Sequence, residues 1–158
     1  MLLPDVLAVL RALEEERVEY AVFGAVALNL HGIGRATEDL DLFVRPEPAN
    51  IERLRRALSR VYDDPHIAEI SSDDLCGDYP AVRYVPPDGD FYLDILTRLG
   101  EFARYADLET QTVDIEGIRI RVVSPRELYR LKRGTARAQD RADAELLREK
   151  FGLGDNQG

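Results

Sequence analysis

Apolar and polar positions alternate along the chain in two distinct periods, and the switches between them outline the elements. Leu3, Val6, Leu10 and Leu13 recur at helical spacing and predict a helix over about Pro4 to Glu16. Tyr20-Ala21-Val22-Phe23 is a short apolar run ending at Gly24 and predicts a buried strand. Good helix formers follow from Ala25 to His31 and stop at Gly32-Ile33-Gly34, a loop. Asp39 to Val44 predicts a strand, ended by Arg45-Pro46-Glu47-Pro48. Ile51, Leu54, Leu58 and Val61 mark one face of a third helix.

Residues 63–90 carry a weaker pattern. Ile67 to Ile70 and Ala81 to Val85 are read as strands, and Pro86-Pro87-Asp88-Gly89 as a turn. Phe91 to Leu96 is a strand apolar on both faces, interrupted by Asp94. Val113 to Ile115 and Ile118 to Val122 alternate around Glu116-Gly117 and predict a hairpin. Ser124-Pro125-Arg126-Glu127 combines a cap, a first-turn proline and a capping-box glutamate, so a helix is expected to about Arg133. Gly134-Thr135 interrupts it, and a last helix covers about Arg137 to Lys150.

The chain has 158 residues, and 45% of them are hydrophobic. That is one domain's worth of core, expected over 1–150 with a flexible tail over 151–158. No apolar run reaches the length of a membrane span, and the first residues lack the pattern of a secretion signal. The single cysteine, Cys76, excludes an intrachain disulfide, and a cytoplasmic location is the expectation. A net charge of −9 argues against broad non-specific nucleic-acid binding, yet cationic residues concentrate at Arg53 to Arg60 and Arg126 to Arg141.

Candidate chemistry lies in Arg35-Ala36-Thr37-Glu38-Asp39-Leu40-Asp41. Residues two apart in a strand share a face, so Asp39 and Asp41 point together while Leu40, Leu42 and Val44 point into a core. Two carboxylates so placed repel each other, and a hard divalent cation between them removes the conflict. On spacing alone, a solvated strand edge is the competing reading. Thr37 can bond a carboxylate and hold it. Arg35 can pair with an aspartate or meet a phosphate.

Asp94 sits between Leu93 and Ile95, where a charge needs a partner: metal, backbone N–H groups or Arg98. If its strand lies beside Asp39–Val44, three aspartates converge on a site for one or two Mg2+ ions. Gly24, between a strand and a helix, allows a phosphate to approach the backbone, or is merely a tight turn. Lys132, Arg137, Asp140 and Asp143 read as a charged solvent-facing surface on the C-terminal helices, and neither histidine has metal-site spacing.

Taken together, strand-Gly24-Ala25-helix, then Arg35-x-Thr37-x-Asp39-x-Asp41, then a strand-borne Asp94 resembles the nucleotidyltransferase superfamily of the polymerase-β type. Within it, the chain is similar to the small bacterial AbiEii toxin-like nucleotidyltransferases. Lys132 and the Arg137-Ala138-Gln139-Asp140 run are similar to that group's later motifs, and the likeness covers about residues 18–147.

The resemblance implies an α/β (α+β) nucleotidyltransferase fold, a mixed sheet flanked by helices with further C-terminal helices. It implies Mg2+- or Mn2+-dependent transfer of a nucleoside monophosphate from a nucleoside triphosphate to a hydroxyl, with release of pyrophosphate. Asp39, Asp41 and Asp94 would bind metal, and Asp94 would also act as general base. Gly24, Ala25, Arg35 and Thr37 would belong to the nucleotide site, Lys132 would contact phosphate, and Asp140 would support the later motif. The implied acceptor is the 3′ end of a tRNA in a toxin role, with a cognate antitoxin. A protein or a small molecule such as an aminoglycoside is the alternative acceptor, and an inactive nucleotide-binding or antitoxin-like module is the alternative class. One departure stands out. The group usually has Gly-Gly or Gly-Ser at the turn, and here Ala25 follows Gly24, so a serine hydroxyl is absent.

Overall fold

The computed structural model describes residues 4–78, 80–87, 91–99, 103–133 and 135–154. Leu3, the Asp88-Gly89 half of the expected turn, Gly134 and the end of the expected tail lie outside the described residues.

Helix α1 (Pro4–Glu15) buries Val6, Val9, Leu10 and Leu13, the stripe set by the helical repeat. Strand β1 (Tyr20–Phe23) runs directly into α2 (Gly24–Leu30), and β2 (Asp39–Val44) follows a loop. Helix α3 (Pro48–Val61) starts on a proline, whose missing N–H would have no helical partner there anyway. It buries Ile51, Leu54, Ala57 and Leu58 and packs on α1.

Ile67 to Glu69, most of the expected Ile67–Ile70 strand, instead belong to a 3₁₀ turn, Pro65–Glu69, whose start is capped by Asp64 accepting from the His66 N–H. Ile67 and Ile70, three apart, both turn inward, a helical and not an alternating spacing. A single helical turn, α4 (Ser72–Leu75), is capped by the Ser71 hydroxyl, which accepts from the Asp74 N–H. Strands β3 (Ala81–Tyr84) and β4 (Tyr92–Leu96) follow the sequence pattern. A small ribbon of β5 (Arg98–Leu99) and β6 (Ala103–Arg104) was not expected. The hairpin of β7 (Thr110–Ile115) and β8 (Ile118–Val123) leads into α5 (Pro125–Arg133) and α6 (Ala138–Phe151).

The start of α5 departs from the expected capping box in one half. The Ser124 hydroxyl accepts from the Glu127 N–H, but the Glu127 carboxylate, itself buried, accepts from the Glu109 N–H. The Ser124 N–H donates to the Glu109 carbonyl instead, so the residue before β7 replaces the reciprocal bond.

The main sheet has six strands in the order β3-β4-β2-β1-β8-β7. β2 pairs parallel with β4, and β1 parallel with β8; the other three pairings are antiparallel. The expected mixed sheet flanked by helices is therefore present. α1 packs on α3 and β8, and α2 packs against β1, β2 and β8. Asn50, fully buried at the start of α3, accepts from the Glu19 N–H and donates to the Glu19 and Arg45 carbonyls, tying the start of β1 to the end of β2. Among the described residues, no helix is long and apolar enough to cross a membrane.

Candidate active site

The register of the sheet assembles the acidic cluster. Asp41 stands opposite Asp94 in the parallel β2–β4 pair, and Asp39 stands opposite Tyr92. Arg83 on β3 stands opposite Asp94, and Phe23 on β1 opposite Asp41. One row across the sheet thus reads Arg83, Asp94, Asp41, Phe23. Beneath it, Phe43 shares the Asp39–Asp41 face of β2 and packs on Phe23 with ring centroids 5.0 Å apart.

One carboxylate oxygen from each of Asp39, Asp41 and Asp94 lies within 4.8 Å of the others. Among the described residues this is the one such group of potential metal ligands. Two oxygens that each sit about 2.1 Å from a Mg2+ are at most about 4.2 Å apart, so small side-chain adjustments close the set on a hard cation. The electrostatics favour that cation. Burial pushes the Asp41 carboxyl up to about 8, the charges of Asp39 and Asp94 add to the rise, and Lys132 opposes it. A buried carboxylate crowded by two others is relieved by positive charge.

The surrounding residues hold these carboxylates in place. The Thr37 hydroxyl donates to Asp39 Oδ1 at 2.7 Å and accepts from the Asp39 N–H at 3.2 Å. Gly24 has φ +69°, and a Cβ built there would lie 2.0 Å from Asp41 Oδ2. The turn into α2 is therefore cut to fit the Asp41 carboxylate, and only glycine leaves it room.

A cavity of about 700 Å³ opens over the cluster. Gly24, Ala25, Arg35, Asp39, Asp41, Asp94, Lys132 and Asp140 all border it, while Thr37 stands behind Asp39. Arg35 pairs with an aspartate, the first of its two expected options: its Nε donates to Asp143 at 3.3 Å. The Lys132 ammonium bridges Asp140 at 3.3 Å and Asp143 at 3.2 Å. Asp140 also accepts from the Thr135 hydroxyl.

These contacts correct two expectations. The Asp140–Asp143 face is not solvent-facing: Asp143 is 1% exposed and is the shared anchor of Arg35, Lys132 and Gln139. The partner of Asp94 is Arg83, not Arg98. Arg83 Nε donates to Asp94 Oδ1 at 2.9 Å and Nη2 to Oδ2 at 3.4 Å, while its guanidinium lies 4.1 Å from the Tyr92 ring centroid. The signal for Arg83 was its place in an alternating strand; only the register aligns it with Asp94.

The family model described as nucleotidyl transferase AbiEii toxin, type IV TA system, matches residues 6–143. The chain belongs to this AbiEii family. No curated protein matches the sequence. Among solved structures, ANT(2″)-Ia in complex with adenylyl-2″-tobramycin is 14% identical with a TM-score of 0.56, over 93% of this chain and 87% of that one. A protein from Thermotoga maritima assigned as a nucleotidyltransferase is 16% identical with a TM-score of 0.55, over 96% of each chain. An antigenic nucleotidyltransferase-like protein from Paracoccidioides brasiliensis is 18% identical with a TM-score of 0.56, over 92% of this chain and 73% of that one. At these identities the likeness is one of fold. It fits the AbiEii assignment, and the chain is a nucleotidyltransferase by family.

Proposed function

We propose that this AbiEii protein, acting through one catalytic domain over residues 1–150, transfers a nucleoside monophosphate from a nucleoside triphosphate to an acceptor hydroxyl. The observation that carries the reading is the convergence of Asp39, Asp41 and Asp94 beside a glycine turn that has no room for a side chain. Asp39, Asp41 and Asp94 would hold Mg2+ or Mn2+, which when bound neutralises charge on the reacting phosphates.

The chain's own residues do the rest. The backbone at Gly24 and Ala25 borders the space for the triphosphate, and Arg35, anchored through Nε to Asp143, lines the same cavity. Lys132, fixed between Asp140 and Asp143, sets positive charge on the cavity wall, where a phosphate oxygen can meet it. Asp94 takes the proton of the acceptor hydroxyl. That oxygen attacks the α-phosphorus, the bond to the bridging oxygen breaks, and pyrophosphate leaves. Such a transfer needs positioning and charge more than covalent chemistry. Ala25 offers its backbone N–H without the hydroxyl of a serine, so nucleotide is held with fewer bonds.

The acceptor we favour is a tRNA 3′ end, in a toxin role restrained by a cognate antitoxin. Family membership supports the toxin role and the antitoxin, and the arginine-rich α5–α6 region, from which Arg137 reaches the cavity, supports a nucleic-acid acceptor. The test is label transfer from each α-labelled nucleoside triphosphate with Mg2+ to total tRNA, then to proteins and to an aminoglycoside. Transfer to tRNA that disappears in Asp41→Asn is the expected result. Transfer to an aminoglycoside alone would move the reading toward the ANT(2″)-Ia type of acceptor. Nucleotide binding with no transfer to any acceptor would replace the enzyme with a binding module.

A further inference from the structure

Arg83 is not needed by the reaction as set out, yet it occupies the carboxylate that the reaction uses. It projects from an edge strand, directly opposite Asp94, and its side chain is 58% exposed. Its fork engages both Asp94 oxygens. Most exposed ion pairs contribute little because two flexible side chains must be ordered. Here the ordering has a second source, since the guanidinium lies 4.1 Å from the centroid of the Tyr92 ring. The Tyr92 backbone, in turn, is held in the β2–β4 pair, opposite Asp39. Both Arg83 and Tyr92 line the cavity.

Building on the metal-site reading, we infer that Arg83 is a resident counter-ion of the third carboxylate, displaced from Asp94 by a divalent cation and then free to receive a phosphate at the cavity's edge. A dication approaching Asp94 meets a lone pair on each oxygen already taken and a positive charge alongside. The cation therefore gains less from Asp94 while Arg83 is in place. Once Arg83 is off Asp94, the Tyr92 face keeps it at the cavity. A guanidinium fork that matches a carboxylate also matches a phosphate. Arg83 thus makes loading of the site cooperative: cation alone binds weakly, and cation with nucleotide binds well. In this scheme Arg83 acts on the cation through Asp94 and on the nucleotide directly, through a phosphate.

The experiment titrates Mn2+ into the full chain, following free Mn2+ by paramagnetic resonance, without nucleotide and then with a non-transferable α,β-methylene nucleoside triphosphate. Arg83→Gln is expected to tighten Mn2+ binding about three- to tenfold without nucleotide and to weaken binding of the analogue with Mn2+ by a similar factor. Arg83→Lys, which keeps the charge and loses the fork, should leave Mn2+ affinity near that of the wild type while weakening the analogue. Arg119→Gln, the same charge change at the far side of the sheet, should alter neither. Unchanged or weaker Mn2+ binding in Arg83→Gln overturns the counter-ion role, and unchanged analogue binding overturns the phosphate role. Asp41→Asn separates the two levels. If the wild type binds Mn2+, Asp41→Asn does not, and Arg83→Gln shows no gain, only the role of Arg83 fails. If neither the wild type nor Arg83→Gln binds Mn2+, the metal site fails with it.

Discussion

Asp41 and Asp94 face each other across two parallel strands, 53 positions apart in the chain and adjacent in the sheet. The arrangement opposes metal-free folding. Asp41 is held up to about 8 against its ordinary 3.8, chiefly by burial and then by Asp39 and Asp94. The sign follows directly. Between about pH 4 and pH 8 the unfolded chain has released this proton while the folded chain keeps it, so this group makes metal-free stability fall as pH rises through that window.

Asp41→Asn removes the titration. Without metal at pH 8, the variant should melt higher than the wild type by roughly 1–3 kcal/mol, at about 2–4 °C for each kcal/mol in a chain of this size. Near pH 4 the two should converge. Mg2+ or Mn2+ should raise the wild-type melting temperature and leave the variant unmoved. Thermal melts across pH, with and without metal, check all three. A variant less stable than the wild type at pH 8 would contradict this picture of the cluster.

Gly24→Ala should do the reverse. Its Cβ would fall 2.0 Å from Asp41 Oδ2, at a φ of +69° that side chains resist. Part of the cost is backbone strain and part is displacement of the carboxylate, together about 2–4 kcal/mol. Label transfer should fall by about two orders of magnitude, because a misplaced site loses alignment. Denaturant unfolding measures the first effect and transfer kinetics the second. A wild-type rate in this variant would show that Asp41 need not sit where it does.

The sequence made some of this legible, and the reasons are local. Asp39 and Asp41 were readable because strand alternation alone puts them on one face. Asp94 was readable as a strand-borne carboxylate, but its meeting with Asp41 depended on a parallel pairing that crosses α3 and β3. Arg83 was invisible as a partner because register, not sequence distance, sets it opposite Asp94. Asp143 was misread for a related reason. Asp140 and Asp143 lie three apart on α6, and nothing in that spacing says that the second is sealed by Arg35 and Lys132 from elsewhere. Ile67 and Ile70 carried a helical interval that the apolar run obscured.

The anchoring role of Asp143 gives a stability prediction. Its carboxylate accepts from Arg35, Lys132 and Gln139 at 3.3, 3.2 and 3.0 Å while almost wholly buried. Removing it leaves two cations facing each other without their shared anion. Asp143→Ala should cost about 3–5 kcal/mol. Asp143→Asn, which keeps the shape and one acceptor oxygen, should cost less and should lower transfer more than it lowers stability. Urea unfolding and label transfer on both variants test this. An Asp143→Ala protein as stable as the wild type would make the cluster a surface network after all.

His31 supplies the last test, and it concerns the fold alone. The side chain closes α2, is buried, and places Nε2 at 2.8 Å from the Val123 carbonyl. A carbonyl only accepts, so Nε2 carries the proton and the ring is satisfied while neutral. Burial lowers its pKa below the ordinary 6.5, and the bond to Val123 pulls weakly the other way. Below pH 6.5 the unfolded histidine takes up a proton that the folded one resists, so its contribution is complete above that pH and is lost as pH falls. His31→Gln can still donate to Val123 but cannot titrate. Melting temperatures of the wild type should therefore drop more steeply between pH 7 and pH 5 than those of His31→Gln, by at most about 1.4 kcal/mol per pH unit, the limit for one proton. Parallel slopes would mean that His31 is protonated as readily in the folded protein as in the unfolded chain, and that its burial imposes no acid sensitivity on the junction between α2 and β8.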